Sequence, residues 1–106
     1  MIDNATRTDF YTLPVPTTRG SGIPIGQGAC KGVVLSLNYW EDGEANANNF
    51  IYIGDSNGQG WQLTVVDVND NQGNNVSPLI LCTNLNEVYV KNTKVGTAQL
   101  QVLVYK

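Results

Sequence analysis

The sequence predicts an all-β protein, a jelly-roll-like antiparallel β-sandwich of six to seven strands with an extended N-terminal arm. Short runs rich in β-branched and aromatic residues alternate apolar with polar side chains, which is the period of half-buried strands. Clusters of Asn, Gly, Thr and Asp separate these runs and mark turns. Helical spacing never persists for more than one turn. Two packed antiparallel sheets are the fold class that fits this pattern.

The first 28 residues differ in composition from the rest of the chain. They contain three of the four prolines, Pro14, Pro16 and Pro24, and several glycines. Proline fixes φ and forces its predecessor into extended conformations, so this segment cannot be helical and is predicted to be poor sheet. We expect residues 1–28 to be an extended arm, with a disordered tail as the alternative, ahead of a sandwich domain over residues 29–106.

The apolar residues of the arm argue against a disordered tail, because a segment without a partner has no use for them. An arm lying in a groove of a neighbouring subunit would bury them. The predicted partner-binding residues are Phe10, Tyr11, Leu13, Val15, Ile23 and Ile25.

Strands and connections are expected to alternate after the arm. The predicted strands are residues 33–40, 50–53, 61–68, 79–82, 88–90 and 100–105. The predicted connections are residues 41–49, 54–60, 69–75, 83–86 and 92–96. The last third, residues 78–106, has the form of an antiparallel meander that closes the sandwich. In the first strand, Val33, Leu35 and Leu37 share one face by the period of two.

Charge is sparse along the chain. Charged residues are 14% of the sequence, the net charge is −3, and the six basic residues are scattered, so binding of nucleic acid is not expected. A surface covered by Asn, Thr, Ser, Gln and Gly suits extracellular or virion proteins. No signal peptide and no membrane span is visible, so the expectation is a soluble protein made in a cytosol. Free buried thiols at Cys30 and Cys82 are favoured over a disulfide for such a chain.

Residues able to carry catalysis are few. Histidine is absent, which excludes Ser/His and Cys/His nucleophile systems. Glu41, Asp42 and Glu44 cluster beside Gly43, where solvated loop charges are the ordinary explanation. We expect no enzymatic activity and no cofactor.

Two further patterns suggest ligands. Residues 67–71 (DVNDN) resemble the calcium-binding linker of cadherins, but the other acidic motifs of that family are missing, and an Asn/Asp turn is expected instead of a metal site. An aromatic platform for sugar binding is the second pattern, although such residues are more often core or interface. Its members would be Tyr39, Trp40, Tyr52, Trp61 and Tyr89.

Five segments in order resemble the small β-sandwich virion proteins of tailed bacteriophages. The segments are ACKGVVL (29–35), NFIYIGD (49–55), WQL (61–63), NLNEVYV (84–90) and the terminal strand LQVLVY (100–105). The resemblance spans about residues 29–106, and the order of the segments carries it. The chain departs from the family pattern between residues 63 and 78, where its connection is longer.

The resemblance implies a structural virion protein, in the first place a capsid decoration (cement) protein. Its partners would be the major capsid protein and further copies of itself, as a homotrimer or alternatively a dimer, with no nucleic acid and no membrane. It would be made in the host cytoplasm and reside on the capsid surface. The alternatives are a tail or fibre structural module and a carbohydrate-binding β-sandwich module.

Overall fold

A computed structural model describes residues 8–18, 20–41, 49–65 and 75–106. These residues contain eight strands and one 3-10 turn, but no α-helix and no helix long and apolar enough to cross a membrane. The elements are β1 (Thr8–Val15), β2 (Ile23–Pro24), β3 (Gly32–Glu41), β4 (Phe50–Asp55), β5 (Gly58–Thr64), β6 (Ile80–Leu81), the 3-10 turn (Leu85–Glu87), β7 (Tyr89–Lys91) and β8 (Thr97–Tyr105).

The strands form two four-stranded antiparallel sheets, in the orders β1-β8-β3-β6 and β2-β7-β4-β5. The pairing is nested in sequence order. The first strand pairs with the last, the second with the second to last, and so on inward, giving β1·β8, β2·β7, β3·β6 and β4·β5. These pairs alternate between the two sheets, which is the wrapped double Greek key of a jelly roll. The predicted all-β sandwich is confirmed, with eight strands among the described residues where the sequence predicted six to seven.

Residues Thr8–Val15 lie in a sheet, contrary to the prediction of an arm with poor sheet-forming character. β1 pairs with β8 over its whole length, from Thr8 opposite Tyr105 to Val15 opposite Ala98. Pro14 is tolerated because β1 is an edge strand, bonded on one side only. The described residues before 29 therefore belong to the sandwich and do not form an arm outside it.

The core lies between the two sheets. Val33, Leu35 and Leu37 share the inner face of β3, as predicted, and are completely buried. The inner positions of β8 are buried opposite them, and the second sheet contributes Ile51 and Leu63. This interdigitation of two inner faces is the packing expected of a sandwich.

Asn92 fastens the end of β1 to the turn that precedes β8. Its side chain is buried and donates hydrogen bonds to the carbonyls of Val15 and Gly96, both at 3.0 Å. Its Oδ1 accepts from Lys94 N at 2.8 Å, and its carbonyl accepts from Thr18 N at 2.8 Å. Every hydrogen-bonding group of this buried amide is therefore used.

The connection predicted as a long loop at residues 54–60 is a tight hairpin turn. Asp55 pairs with Gly58, and its Oδ1 accepts from Asn57 N at 2.8 Å and from Gly58 N at 3.2 Å. The glycines after the turn are part of edge strand β5. The predictions for residues 42–48 and 66–74, including the DVNDN segment and the carboxylates Asp42 and Glu44, lie outside the described residues.

Candidate interaction surface

The outer face of the β1-β8-β3-β6 sheet carries a cluster of apolar side chains at one end. Two rows of paired residues run across it, Thr8–Tyr105–Gly32–Leu81 and Phe10–Leu103–Val34. Residues directly opposite one another point to the same face, so these rows share the side away from the core. We define the outer apolar patch as Phe10, Val34, Leu79, Leu81, Leu103 and Tyr105.

Three side chains dominate the exposed area of the patch. Leu81 is 79% exposed, Phe10 is 65% exposed and Leu79 is 55% exposed. The other three members are partly exposed. By strand spacing the patch extends about 14 Å across the four strands.

The absence of a side chain at Gly32 makes room for Leu79 in the patch. A Cβ at this position would lie 3.0 Å from Leu79 Cδ1 and 3.0 Å from the Ile80 carbonyl oxygen. Leu79 therefore lies over the glycine and fills the space between Tyr105 and Leu81. A larger residue at position 32 would displace it.

Polarity changes along the outer face. Beyond the patch lies a polar row, in which Thr12 and Gln101 are hydrogen-bonded at 3.3 Å. Glu41 lies at the far end of this face and accepts a hydrogen bond from Gln99. Among the described strand pairings, it is the charged residue on this face. The ion pair between Lys106 and Asp9 (2.9 Å) lies at the same end of β1 but belongs to the opposite face, since Asp9 pairs with the buried Val104.

An exposed apolar cluster without charges has the composition of an interface core. Interface cores are depleted of charged residues and enriched in aromatic ones, and exposed apolar patches mark sites of association. A hydrogen-bonded sheet also presents most of such a patch without the entropic cost of ordering a loop. The arrangement is suited to docking against another protein surface.

A second feature is a groove of about 480 Å³ between the edges of the two sheets. Its lining comes from β4, β5, β6 and the residues beside β6 and the 3-10 turn, and Trp61, which is 40% exposed, forms one wall. Two carboxylates, Asp55 and Glu87, also face it. Each already accepts two hydrogen bonds from its own turn, those on Glu87 coming from Thr83 N (2.8 Å) and Thr83 Oγ1 (2.6 Å).

The hydrogen bonds from Thr83 lower the pKa of Glu87 below its usual value. They stabilise the charged form, which is the form that accepts both bonds. The described residues contain no group of three or more His, Cys, Asp or Glu that is placed to hold a metal ion. Cys30 and Cys82 are buried free thiols, as the sequence predicted.

The six residues predicted to bind a partner occupy different environments. Val15 and Ile25 are buried in the core, so the prediction that they contact a partner is corrected for these two. Tyr11, Leu13 and Ile23 are partly buried and pack against that core, and the Tyr11 hydroxyl donates to the Ile25 carbonyl at 2.8 Å. The remaining residue, Phe10, lies in the outer apolar patch.

The five aromatic residues considered for sugar binding do not form one row. Trp40 is buried, and its Nε1 donates to the Val95 carbonyl at 2.9 Å. Tyr39 is exposed on β3, whereas Trp61 lies on β5 in the other sheet. Trp61 therefore forms an aromatic wall of the groove without Trp40 or Tyr39 beside it.

The patch residues outside β1 were missed by the sequence predictions. A signal was present, because β6 and the end of β8 are continuous apolar runs in which both faces are apolar. Such runs indicate either burial on both sides or an exposed apolar face. Edge position decides between these alternatives, and it depends on pairings across the whole chain.

Comparisons of the chain with protein-family models, with curated proteins and with solved structures found no match. The functional evidence is therefore the chain's own: its jelly-roll fold, the outer apolar patch and the groove beside Trp61.

Proposed function

We propose that this chain is a structural virion protein, a capsid decoration (cement) protein that binds the outer capsid surface and stabilises contacts between capsomers. The observation that carries the proposal is the outer apolar patch. It offers an uncharged docking surface built on a hydrogen-bonded sheet, with Phe10 and Leu81 as its most exposed members.

The fold and the sequence resemblance support the same role. Jelly rolls occur in viral capsid domains and in lectins, so the fold is compatible with a virion protein but does not by itself assign one. The resemblance of residues 29–106 to tailed-phage virion proteins favours the capsid over the lectin. Under this proposal the chain has no catalytic role and needs no cofactor, nucleic acid or membrane.

The partners are the major capsid protein and further copies of this chain. A homotrimer matches the quasi-threefold positions of capsids, and closed symmetry repeats the same contact in each copy. A dimer is the alternative assembly. Three copies of the patch acting together would multiply a modest single-site affinity.

The proposal is tested by binding to purified expanded capsids. Removing residues 1–28 is unsuitable, because that deletion removes β1, β2 and core residues. Substituting Phe10→Ser or Leu81→Ser changes exposed positions and should weaken binding about tenfold or more, since apolar anchors carry most interface energy. Gln101→Ser, on the polar row of the same face, is the matched control and should bind as wild type.

Unchanged capsid occupancy by both patch variants, with melting temperatures equal to wild type, contradicts docking through the patch. Reconstruction of the native particle is the complementary measurement. Density on the capsid surface supports the cement role, whereas density in the tail or fibre establishes the alternative structural module.

Carbohydrate binding is a second candidate because of the groove beside Trp61. Its volume lies in the range of small-ligand sites, and an exposed indole face is a common sugar platform. A glycan array probed with wild type, Trp61→Ala and Tyr39→Ala tests it. Binding that is lost in Trp61→Ala but kept in Tyr39→Ala supports a sugar site, and no binding by wild type removes this candidate.

A further inference from the structure

Two cysteines distant in the sequence meet where β3 begins and β6 ends. Cys30 and Cys82 are 52 residues apart, and their Sγ atoms lie 3.2 Å from each other. Each residue is only 8% exposed. At this distance the two sulfur atoms are in direct contact, so a chemical reaction between them has to be considered.

The backbone on both sides of the pair is fixed by hydrogen bonds. Cys30 N donates to Thr83 O at 3.1 Å, and Cys82 N donates to Lys31 O at 3.4 Å. Pairs of strand residues flank the cysteines on either side, Ala29 with Asn84 and Gly32 with Leu81. The two segments are therefore held at strand spacing with the cysteines offset by one residue across it, and the sulfur contact shows that their side chains reach each other.

Closure of a bond needs only a small displacement. A disulfide has an S–S length of about 2.05 Å, so the sulfur atoms must approach by roughly 1 Å, which side-chain rotation can supply. The contacts made by the sulfurs at present are weak ones, from Cys30 Sγ to Cys82 O at 3.5 Å and from Cys82 Sγ to Ile80 O at 3.8 Å. Little has to be broken for the bond to form.

A shallow opening of about 540 Å³ gives small molecules access to the pair. Cys30 and Cys82 form part of its lining, together with Lys31, Thr83 and Glu87. This volume accommodates a small thiol or disulfide compound.

We propose that Cys30 and Cys82 are an oxidisable dithiol that closes to an intramolecular disulfide by exchange with a small disulfide such as oxidised glutathione. One cysteine thiolate attacks a glutathione sulfur, forms a mixed disulfide and releases one glutathione thiolate. The second cysteine attacks the protein-side sulfur of that bond and releases the second glutathione. The two protein thiols are oxidised, one glutathione disulfide is reduced to two thiols, and the two protons pass to the glutathiones.

The surroundings of the pair make the exchange slow at neutral pH. Burial, and after it the hydrogen bond with Cys30, raises the pKa of Cys82 to about 12. The titratable groups around the pair are Lys31 and Glu87 at the opening and Tyr11, whose pKa is raised by burial and then by the proximity of Cys30. Because the thiolate is the reacting form, the rate should rise with pH.

The bond would fasten β6 to the start of β3. β6 is paired with β3 through only two residues, and Leu81 of the outer apolar patch is one of them. The cross-link would close a loop of about 50 residues and stabilise the fold by restricting the unfolded chain. This inference does not depend on the proposed function.

The test is incubation of the folded full-length chain with oxidised glutathione at mildly alkaline pH, followed by intact mass and alkylation in denaturant. The expected product has lost the mass of two hydrogen atoms, takes up no alkylating agent and yields a peptide linking Cys30 to Cys82. Its melting temperature should be about 10 °C higher than that of the reduced chain. Dithiothreitol should reverse both changes.

The variants Cys30→Ser and Cys82→Ser cannot close the bond, so oxidised glutathione should give neither the mass loss nor the rise in melting temperature. The comparison of oxidised with reduced wild type needs no variant and stands even if a serine variant folds poorly. Two thiols that stay alkylatable, or a glutathione adduct that persists without closure, would overturn the proposal.

Discussion

At the scale of single residues, buried polar side chains complete hydrogen bonding where strands end. Asn92 satisfies two carbonyls and one amide of neighbouring segments. Ser77 does the same beside β3, accepting from Leu35 N at 2.8 Å and donating to Pro78 O at 2.9 Å. Both side chains are buried, so removing either leaves partners that water cannot easily reach.

Replacing Asn92 by alanine should destabilise the protein by about 3 kcal/mol, because three hydrogen bonds are lost and buried carbonyls are left unpaired. Urea unfolding measures this difference. Asn86→Ala, at an exposed position of the 3-10 turn, is the control and should change stability by less than about 0.5 kcal/mol. Equal stability of Asn92→Ala and wild type would mean that this amide does not hold β1 in place.

Glu87 should make stability depend on pH in the acidic range. Its folded-state pKa is lowered, first by the hydrogen bond from the Thr83 hydroxyl, so its contribution is present above the unfolded pKa and is lost as pH falls through the folded one. Glu87→Gln should therefore melt below wild type near neutral pH. The difference in melting temperature should shrink once the pH falls below the unfolded pKa of glutamate, about 4.3, and vanish below the lowered folded pKa. Melting curves across this range check the prediction.

The control for this prediction is Glu87→Gln in a Thr83→Val background, where the hydroxyl that stabilises the carboxylate is gone. In the Thr83→Val background, Glu87→Gln should lower the melting temperature at neutral pH by less than it does in wild type. If the difference in melting temperature between Glu87→Gln and wild type does not change with pH, the assigned role of the carboxylate is contradicted.

At the scale of elements, β1 combines two different roles. Its inner face contributes Val15 to the core, and its outer face contributes Phe10 to the outer apolar patch. The alternation of more and less buried positions along β1 is regular, as for β8. One strand therefore joins the stability of the sandwich to its candidate binding surface.

A pair of substitutions in β1 separates these roles. Val15→Ala removes buried methyl groups and should cost about 2 kcal/mol of unfolding free energy, whereas Phe10→Ala at an exposed position should cost less than about 0.5 kcal/mol. Chemical denaturation of both variants measures this. If the two effects are equal, or reversed, then β1 does not pack as described.

Sequence patterns predicted the strands whose two faces differ, and missed those whose place depends on distant partners. The alternation around Val33 and Val102 identifies an inner and an outer face directly, because side chains alternate in a strand. Pro14 and Pro16 argued against a strand in this segment. An edge strand, however, leaves every second N–H unpaired, and a proline can occupy such a position. Only the pairing of Thr8 with Tyr105, across nearly the whole chain, decides that β1 is such an edge.

The same reason explains how much of the candidate surface was foreseen. Phe10 was named from its apolar character, but Leu79 and Leu81 join it through β8 and β3, which lie between them in the sheet. A pattern confined to neighbouring residues contains no information on that order. The meeting of Cys30 with Cys82 has the same origin.

At the scale of the whole molecule, the jelly roll is built from contacts between distant parts of the chain. The first strand pairs with the last, and each sheet has two central strands flanked by two edges. Non-local pairing of this kind slows folding, because the loops must close before contacts stabilise them. It also makes stability uneven, since central strands are bonded on both sides and edge strands on one.

Hydrogen exchange should reveal this unevenness. Amides of β8 are covered by β1 and β3, so they should exchange only through global unfolding, with a free energy near that measured by denaturation. Amides of β6, which pairs through two residues at a sheet edge, should open locally and exchange at least about a hundredfold faster. Amide exchange followed by nuclear magnetic resonance compares Val102 with Cys82, whose N–H donates to the Lys31 carbonyl at 3.4 Å directly after β6, under one condition. Equal protection of the two strands would show that β6 and the patch residue it carries open only with the whole domain.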